Sequence, residues 1–163
     1  MVNTGDVLWL LETIYIYFPA YIANATPVVM TGGGPLDGGR TFVDGEPLFG
    51  DHKTVRGTFS GLAAGILIGI LQGQFTRGVL LSFGAILGDL IVSFFKRRLK
   101  LKPGAMFPIA DQMSFIVLAV LLVSLVPPAP TLDRVWAILL ATLPIHYLSN
   151  VVAWMLKLKR SPW

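Results

Sequence analysis

The stretch Gly88-Asp89-Leu90-Ile91-Val92-Ser93-Phe94-Phe95-Lys96-Arg97-Arg98 decides the reading of this chain. An apolar segment enters it from Val79 and a basic run leaves it. An aspartate therefore stands inside a segment that otherwise reads as a membrane helix. A carboxylate in that setting is costly, and the default reading is a functional one. At about 100° per residue, Asp89, Ser93 and Lys96 fall within roughly 60° of one another on a helix. Arg97 lies at the margin of that stripe and Arg98 points away from it. A carboxylate, a hydroxyl and an ammonium on one face suit a divalent metal and phosphates better than they suit packing.

Composition supports the membrane reading. Hydrophobic residues make up 54% of the 163 residues, charged residues only 13%, and mean hydropathy is +0.70. Soluble domains carry about 25% charged residues. Five apolar windows of about 20 residues would occupy about 100 positions, which leaves one compact helical membrane domain spanning residues 1–163. The net charge of +4 reflects basic loops on one membrane side and not a nucleic-acid partner. The absence of cysteine excludes disulfides, thiolate metal sites and cysteine nucleophiles. Ala23-Asn24-Ala25 has the form of a cleavage site, but no Lys or Arg precedes the apolar run and Asp6 and Glu12 flank or interrupt it. The segment is expected to be a retained helix.

The first helix is expected over about residues 7–30, with Glu12 snorkelled or paired near an interface and Pro19 as a kink site. Asn24, near its far end, is either an interhelical hydrogen-bonding group or part of a site. Residues 31–56 form a long connection rich in glycine and charge, and loops of that length are usually functional or disordered. Lys53, Thr54 and Arg56 stand directly before a helix start, where free amides and the helix dipole favour an anion. The spacing Gly45-x-x-x-x-Gly50-Asp51-His52-Lys53-Thr54 departs from a P-loop by two residues and has no preceding sheet. The phosphate-binding idea survives without the P-loop.

The second helix, about 57–73, carries glycine at 57, 61, 65, 69 and 73. This ridge allows close backbone approach, either within the chain or to a second copy in a homo-oligomer. A third helix is expected over about 78–96, followed by a second long connection at about 97–111 in which Pro103-Gly104 breaks the helix. Five of the seven residues 96–102 are basic. Asp111 is either a helix N-terminal carboxylate favoured by the dipole or a second metal ligand on the membrane face of Asp89. A fourth helix follows over about 113–126 and a fifth over about 132–156. His146 and Asn150 share a face of the fifth, reading as an interhelical hydrogen bond or, alternatively, as catalytic groups. The connections at 31–56 and 96–111 and the C-terminus hold eleven of the thirteen Lys and Arg. Positive-inside bias then places the N-terminus outside and the C-terminus in the cytoplasm across five spans. Both motif-bearing loops fall on the cytoplasmic side, where nucleotides are.

Mg²⁺ takes one or two carboxylates plus phosphates and waters. Nucleotidyl transfer relies on positioning and charge neutralisation and needs no protein nucleophile. A small transporter or flippase of a phosphorylated lipid is the alternative reading, although the five spans lack the paired halves of repeat-built transporters. A non-catalytic scaffold gives Asp89 no role.

Gly88-Asp89, Ser93-x-x-Lys96-Arg97 and a later proline followed by aspartate resemble the signature of membrane cytidylyltransferases that make CDP-diacylglycerol. Asn24-x-x-Pro27, Pro35-Leu36-Asp37-Gly38-Gly39, Lys53-Thr54-x-Arg56-Gly57, Lys96-Arg97-Arg98, Pro103-Gly104 and Asp111-Gln112 resemble the archaeal branch, the CDP-archaeol synthase family. The CDP-diacylglycerol signature has Lys-Asp where this chain has Lys102-Pro103, and a glycine-rich run where it has Pro108-Ile109-Ala110. The departures favour the ether-lipid branch. The resemblance implies a cell-membrane, multi-pass enzyme that takes CTP and the isoprenoid ether-lipid phosphate 2,3-bis-(O-geranylgeranyl)-sn-glycerol 1-phosphate and releases pyrophosphate. It implies that Asp89 and Asp111 hold Mg²⁺, with Lys96 beside them in catalysis. Lys53, Thr54, Arg56, Lys96 and Arg97 would hold the triphosphate and the lipid phosphate. Ser93 would bond a phosphate or metal-bound water, and Asn24 and Asp37 are further candidates for nucleotide or metal contacts.

Overall fold

The computed structural model describes residues 3–102 and 105–159. The expected break at Pro103-Gly104 and the last basic residue, Arg160, lie outside them. Five helices follow in order: α1 (Thr4–Val29), α2 (Val55–Leu71), α3 (Phe75–Arg98), α4 (Ala110–Val123) and α5 (Leu132–Met155). Among the described residues the only β pairing is two isolated bridges, Pro35 with Thr54 and Thr41 with Pro47.

Local chemistry sets the ends. Asn3 caps α1, accepting from the Gly5 amide, while Asp6 accepts from the Asn3 amide at 3.2 Å, a reciprocal capping box. Thr54 caps α2, its Oγ1 accepting from the Gly57 amide at 3.1 Å. The last turn of α3 carries Lys96, Arg97 and Arg98, cations that complement the negative end of the helix dipole. The basic run expected to follow the helix is thus partly inside it.

At about 1.5 Å per residue, the 24 residues of α3 and of α5 are long enough to cross a hydrocarbon core of about 30 Å, and both are apolar enough to do so. The 17 residues of α2 and 14 of α4 are apolar but shorter than such a crossing requires. Large apolar side chains face outward on all five helices, among them Leu8, Leu67, Phe83, Leu121 and Leu140.

Backbones approach closely where glycines allow it. A Cβ on Gly61 would lie 2.5 Å from the Ala23 carbonyl of α1, and one on Gly84 2.6 Å from Ala119 Cα of α4. Gly65 faces both α1 and α3, and Gly69 meets Gly78 of α3. The ridge of α2 is therefore buried inside the chain, at 57, 61, 65 and 69. Of the two neighbours the spacing left open, the chain's own helices fill this one: the short reach of glycine is used to pack α2 onto α1 and α3. The core between α1, α3, α4 and α5 contains Tyr17, Leu81, Phe115, Ile116 and Ile138. Tyr21 and Thr142 hydroxyls, 2.6 Å apart, tie α1 to α5. Glu12 pairs with Arg134 at 2.8 Å at the end of the bundle opposite the long loops.

Candidate active site

The connections after α1 and α3 and the segment after α5 meet at one end of the bundle. The crossing that organises it is at Gly88, where an added Cβ would lie 2.6 Å from the Ser114 carbonyl carbon and 2.9 Å from Phe115 Cα. That contact brings the α3 turn bearing Asp89 against the first turns of α4, which bear Asp111.

Asp111 is aimed by its own loop. Its Oδ2 accepts the Phe107 amide at 2.8 Å, and Ile109 adopts φ +65°, a conformation strained for a β-branched residue. The segment thus turns sharply into α4 with the carboxylate held toward α3. Lys96 Nζ donates to both Asp111 oxygens, at 3.1 and 2.8 Å. Asp89 takes a different partner: Lys53 Nζ donates to its Oδ2 at 2.5 Å. Each carboxylate therefore holds an ammonium from another element, and the two pairs are crossed: loop to α3, and α3 to α4. The side chains are partly covered, at 25% and 35% exposure for Lys53 and Asp89, 14% and 29% for Lys96 and Asp111, so water screens them incompletely.

The long loop is pinned onto α3 by Arg98. Its Nε and Nη2 donate to the Asp44 carboxylate, Nη1 to the Leu48 and Phe94 carbonyls, and Nη2 to the Glu46 carbonyl. The guanidinium also covers the rings of Phe94 and Phe42, 4.0 and 5.1 Å from their centroids. Asp37 orders the same loop from within, accepting the amides of Gly39, Phe49 and Gly50. Desolvation works to raise its pKa, but these amides outweigh it and leave the carboxyl below its usual value. Gly50, at φ +89°, lets the loop lie beside Arg97, whose Cδ would be 3.5 Å from a Cβ there. Arg97 Nε is buried with no hydrogen-bond partner among the described residues. A buried guanidinium N–H without a partner is costly.

The remaining candidates are placed as follows. Ser93 Oγ donates to the Asp89 carbonyl at 2.8 Å, along its own helix. Thr54 Oγ1 accepts the capping bond described above, leaving its hydrogen for another acceptor. Arg56 is exposed at the start of α2 and lies over Gly32 and Gly33. Asn24 is half-buried near the end of α1, with no side-chain hydrogen bond among the described residues. Among those residues no group of three or more His, Cys, Asp or Glu could cage a metal. The donors fit Mg²⁺ in the other manner, two carboxylates with phosphate and water completing the shell.

One cation escaped the sequence reading. Lys159, just past α5, lies in the electrostatic field of Asp111, Lys53, Lys96 and Asp89. Burial lowers its pKa, with Asp111 acting against that shift. The signal available was a lysine following α5 on the same membrane face as Lys53 and Lys96.

The chain is similar over nearly its whole length to known proteins. A family model described as CarS-like CDP-archaeol synthase matches residues 6–163. The CDP-archaeol synthase of Pyrococcus furiosus is 41% identical over 165 residues, covering 94% of this chain and 98% of that protein. That of Methanopyrus kandleri is 40% identical over 176 residues, covering all of both chains. A solved structure of an intramembrane enzyme for archaeal membrane lipid biosynthesis superposes with a TM-score of 0.77 at 35% identity, covering 87% of this chain and 94% of that one. The chain belongs to the CDP-archaeol synthase family.

Proposed function

We propose that the two crossed ion pairs are the resting state of the site that carries out the family's reaction. That reaction is CTP-dependent cytidylyl transfer: 2,3-bis-(O-geranylgeranyl)-sn-glycerol 1-phosphate and CTP give CDP-archaeol, in its unsaturated form, and pyrophosphate. A lipid-phosphate oxygen attacks the α-phosphorus of CTP in line. The new bond joins that oxygen to the α-phosphorus, the bond from the α-phosphorus to the oxygen bridging to the β-phosphorus breaks, and pyrophosphate leaves. No residue of the protein enters a covalent bond. Family membership displaces the transporter alternative.

Asp89 and Asp111 would hold Mg²⁺. Bound there, the ion would neutralise phosphate charge and polarise the reacting phosphoryl group. In the resting protein Lys53 and Lys96 occupy the two carboxylates. On substrate binding these ammoniums are released toward phosphate oxygens, so charge is redistributed within the site. CTP brings about four negative charges and the lipid phosphate about two, and their approach at a low-dielectric surface requires several cations. Arg97 supplies one with an N–H already lacking a partner. Arg56 and the Thr54 hydroxyl border the same phosphate region at the start of α2. Ser93 positions Asp89 by bonding its carbonyl, and Asp37 acts by ordering the loop that carries Lys53. Asn24 stands at the edge as a nucleotide contact.

The observation that carries this reading is the meeting, at one end of the bundle, of two carboxylates and three basic side chains from one loop and two helices. We place that end in the cytoplasm, with five spans, the N-terminus outside and the C-terminus inside; the concentration of Lys and Arg at that end supports it. The shorter α2 and α4 then cross where the bilayer thins to meet them. The test is purified protein with CTP, Mg²⁺ and the geranylgeranyl ether-lipid phosphate, followed for pyrophosphate and a CDP-lipid. Formation of both in equal amounts is expected. Formation of neither, with lipid shown to be dispersed, contradicts the reading.

A further inference from the structure

We propose that α5 supplies a third wall of this site, in which Lys159, set in place by His146 and Asn150, binds the phosphate of the lipid substrate rather than that of CTP. The inference rests on the cytidylyltransferase reading above. Its starting point is a chain of contacts that neither the ion pairs nor the loop accounts for. Lys159 Nζ donates to Asn150 Oδ1 at 2.9 Å. An ammonium can only donate, so the amide orientation follows: Asn150 Nδ2 is the donor to His146 Nδ1, 3.1 Å away. Nδ1 thus accepts, and the ring hydrogen sits on Nε2. The His146 ring packs on Phe115, with centroids 5.8 Å apart, and Phe115 is the residue that Gly88 admits at the α3–α4 crossing. A line of contacts runs from Gly88, beside Asp89, through Phe115, His146 and Asn150 to Lys159.

The backbone favours the same placement. After α5 the chain turns back, with the Leu158 and Lys159 amides both donating to the Ala153 carbonyl at 2.9 and 3.3 Å, so Lys159 returns toward the inward face bearing Asn150. There it lies in the fields of both carboxylates and of Lys53 and Lys96.

Direction of approach separates the two substrates. Lys53 comes from the polar loop of residues 31–54. Lys159 comes from the end of a helix whose outer face is apolar and uncovered, with Leu148, Val152, Met155 and Leu156 all more than half exposed. Isoprenoid chains lying along that face bring a phosphate monoester to the end of α5. A water-borne triphosphate enters from the loop side. The ligand class is therefore a phosphomonoester carried on an apolar anchor.

The test uses full-length protein in lipid nanodiscs, with KM measured separately for CTP and for the ether-lipid phosphate. Lys159→Ala is expected to raise the lipid KM about tenfold, the scale of one charge-assisted hydrogen bond, and to leave the CTP KM within about twofold. Asn150→Ala, which releases the lysine without removing it, is expected to shift the lipid KM in the same direction by less. Lys159→Arg is expected to recover most of the loss; its charge is kept, so it also serves as the folded comparison should the alanine variant fail to assemble. Equal rises in both KM values, a rise in the CTP KM alone, or no change in any variant overturns the proposal. A wild-type protein that forms no CDP-lipid instead refutes the reaction itself, so the two failures are distinct.

Discussion

Replacing Gly88 with alanine tests whether the α3–α4 crossing sets the geometry of the site. The added methyl would sit 2.6 Å from Ser114 C and 2.9 Å from Phe115 Cα, whereas ordinary contact begins at 3.4 Å. Both are backbone atoms, and the Ser114 carbonyl oxygen stands closer still, so no side chain can swing aside. The two helices must separate locally by more than about 0.8 Å, the shortfall at the Ser114 carbonyl carbon alone. Overpacking of this kind costs about 1–3 kcal/mol. The functional cost is larger in proportion, because Asp89 adjoins Gly88 and Asp111 rides on α4. A misplacement of about 1 Å at a reacting centre lowers the rate on the order of 10²-fold. Gly69→Ala provides the comparison: its methyl would collide with the Gly78 backbone, at the end of the bundle away from the ion pairs. Both variants should lose thermal stability in detergent, as read by intrinsic fluorescence. Only Gly88→Ala should lose CDP-lipid formation by about a hundredfold. Turnover in Gly88→Ala within about twofold of Gly69→Ala, at matched stability loss, would show that the α3–α4 crossing does not set the geometry of the site.

Other expectations follow from the loop and its cations. Arg98→Lys keeps the charge but loses the forked bonds and ring stacking, so amides of residues 40–48 should exchange hydrogen faster while helix content stays constant. Arg97→Met should weaken Mg²⁺·CTP binding about tenfold without lowering melting temperature, since it removes a buried N–H that has no partner among the described residues. The Asp37 carboxyl is held below its ordinary 3.8. Its stabilisation is therefore complete above that value and is lost as pH falls through the lower folded-state value. Protection of the Phe49 and Gly50 amides should accordingly drop below about pH 4, and Asp37→Asn should abolish that pH dependence in hydrogen-exchange measurements.

The helices were legible because hydrophobic length and breaker residues act locally. Each expected span overlaps an observed helix, with ends displaced by a few residues where capping, as at Asn3 and Thr54, sets the start. The glycine ridge was legible as a packing face, but its partner was not: sequence spacing cannot say which backbone fills the space. The site was legible as a set of residue types and only partly as pairs. The stripe through Asp89, Ser93 and Lys96 suggested a partnership within α3. In the structure Lys96 reaches forward to Asp111, and Asp89 takes Lys53 from 36 positions earlier. Helix phase gives direction only, and loop closure decides which distant charge arrives. Arg98, off that stripe, proved to be the clamp holding the loop. Asp37 and Thr54 have the residue types of ligands; that their oxygens also accept backbone amides is a detail that a motif cannot reveal. Lys159 escaped because the turn after α5 carries it back.

In the proposed mechanism Asp89 and Asp111 together hold the metal on which CTP binds. Calorimetric titration of CTP into the purified protein, with and without Mg²⁺ and without lipid, tests it most directly. Binding to the wild type should require Mg²⁺, and Asp89→Asn and Asp111→Asn should each weaken Mg²⁺-dependent binding by about tenfold or more. Wild-type affinity retained in either variant, or undiminished binding in EDTA, would contradict it.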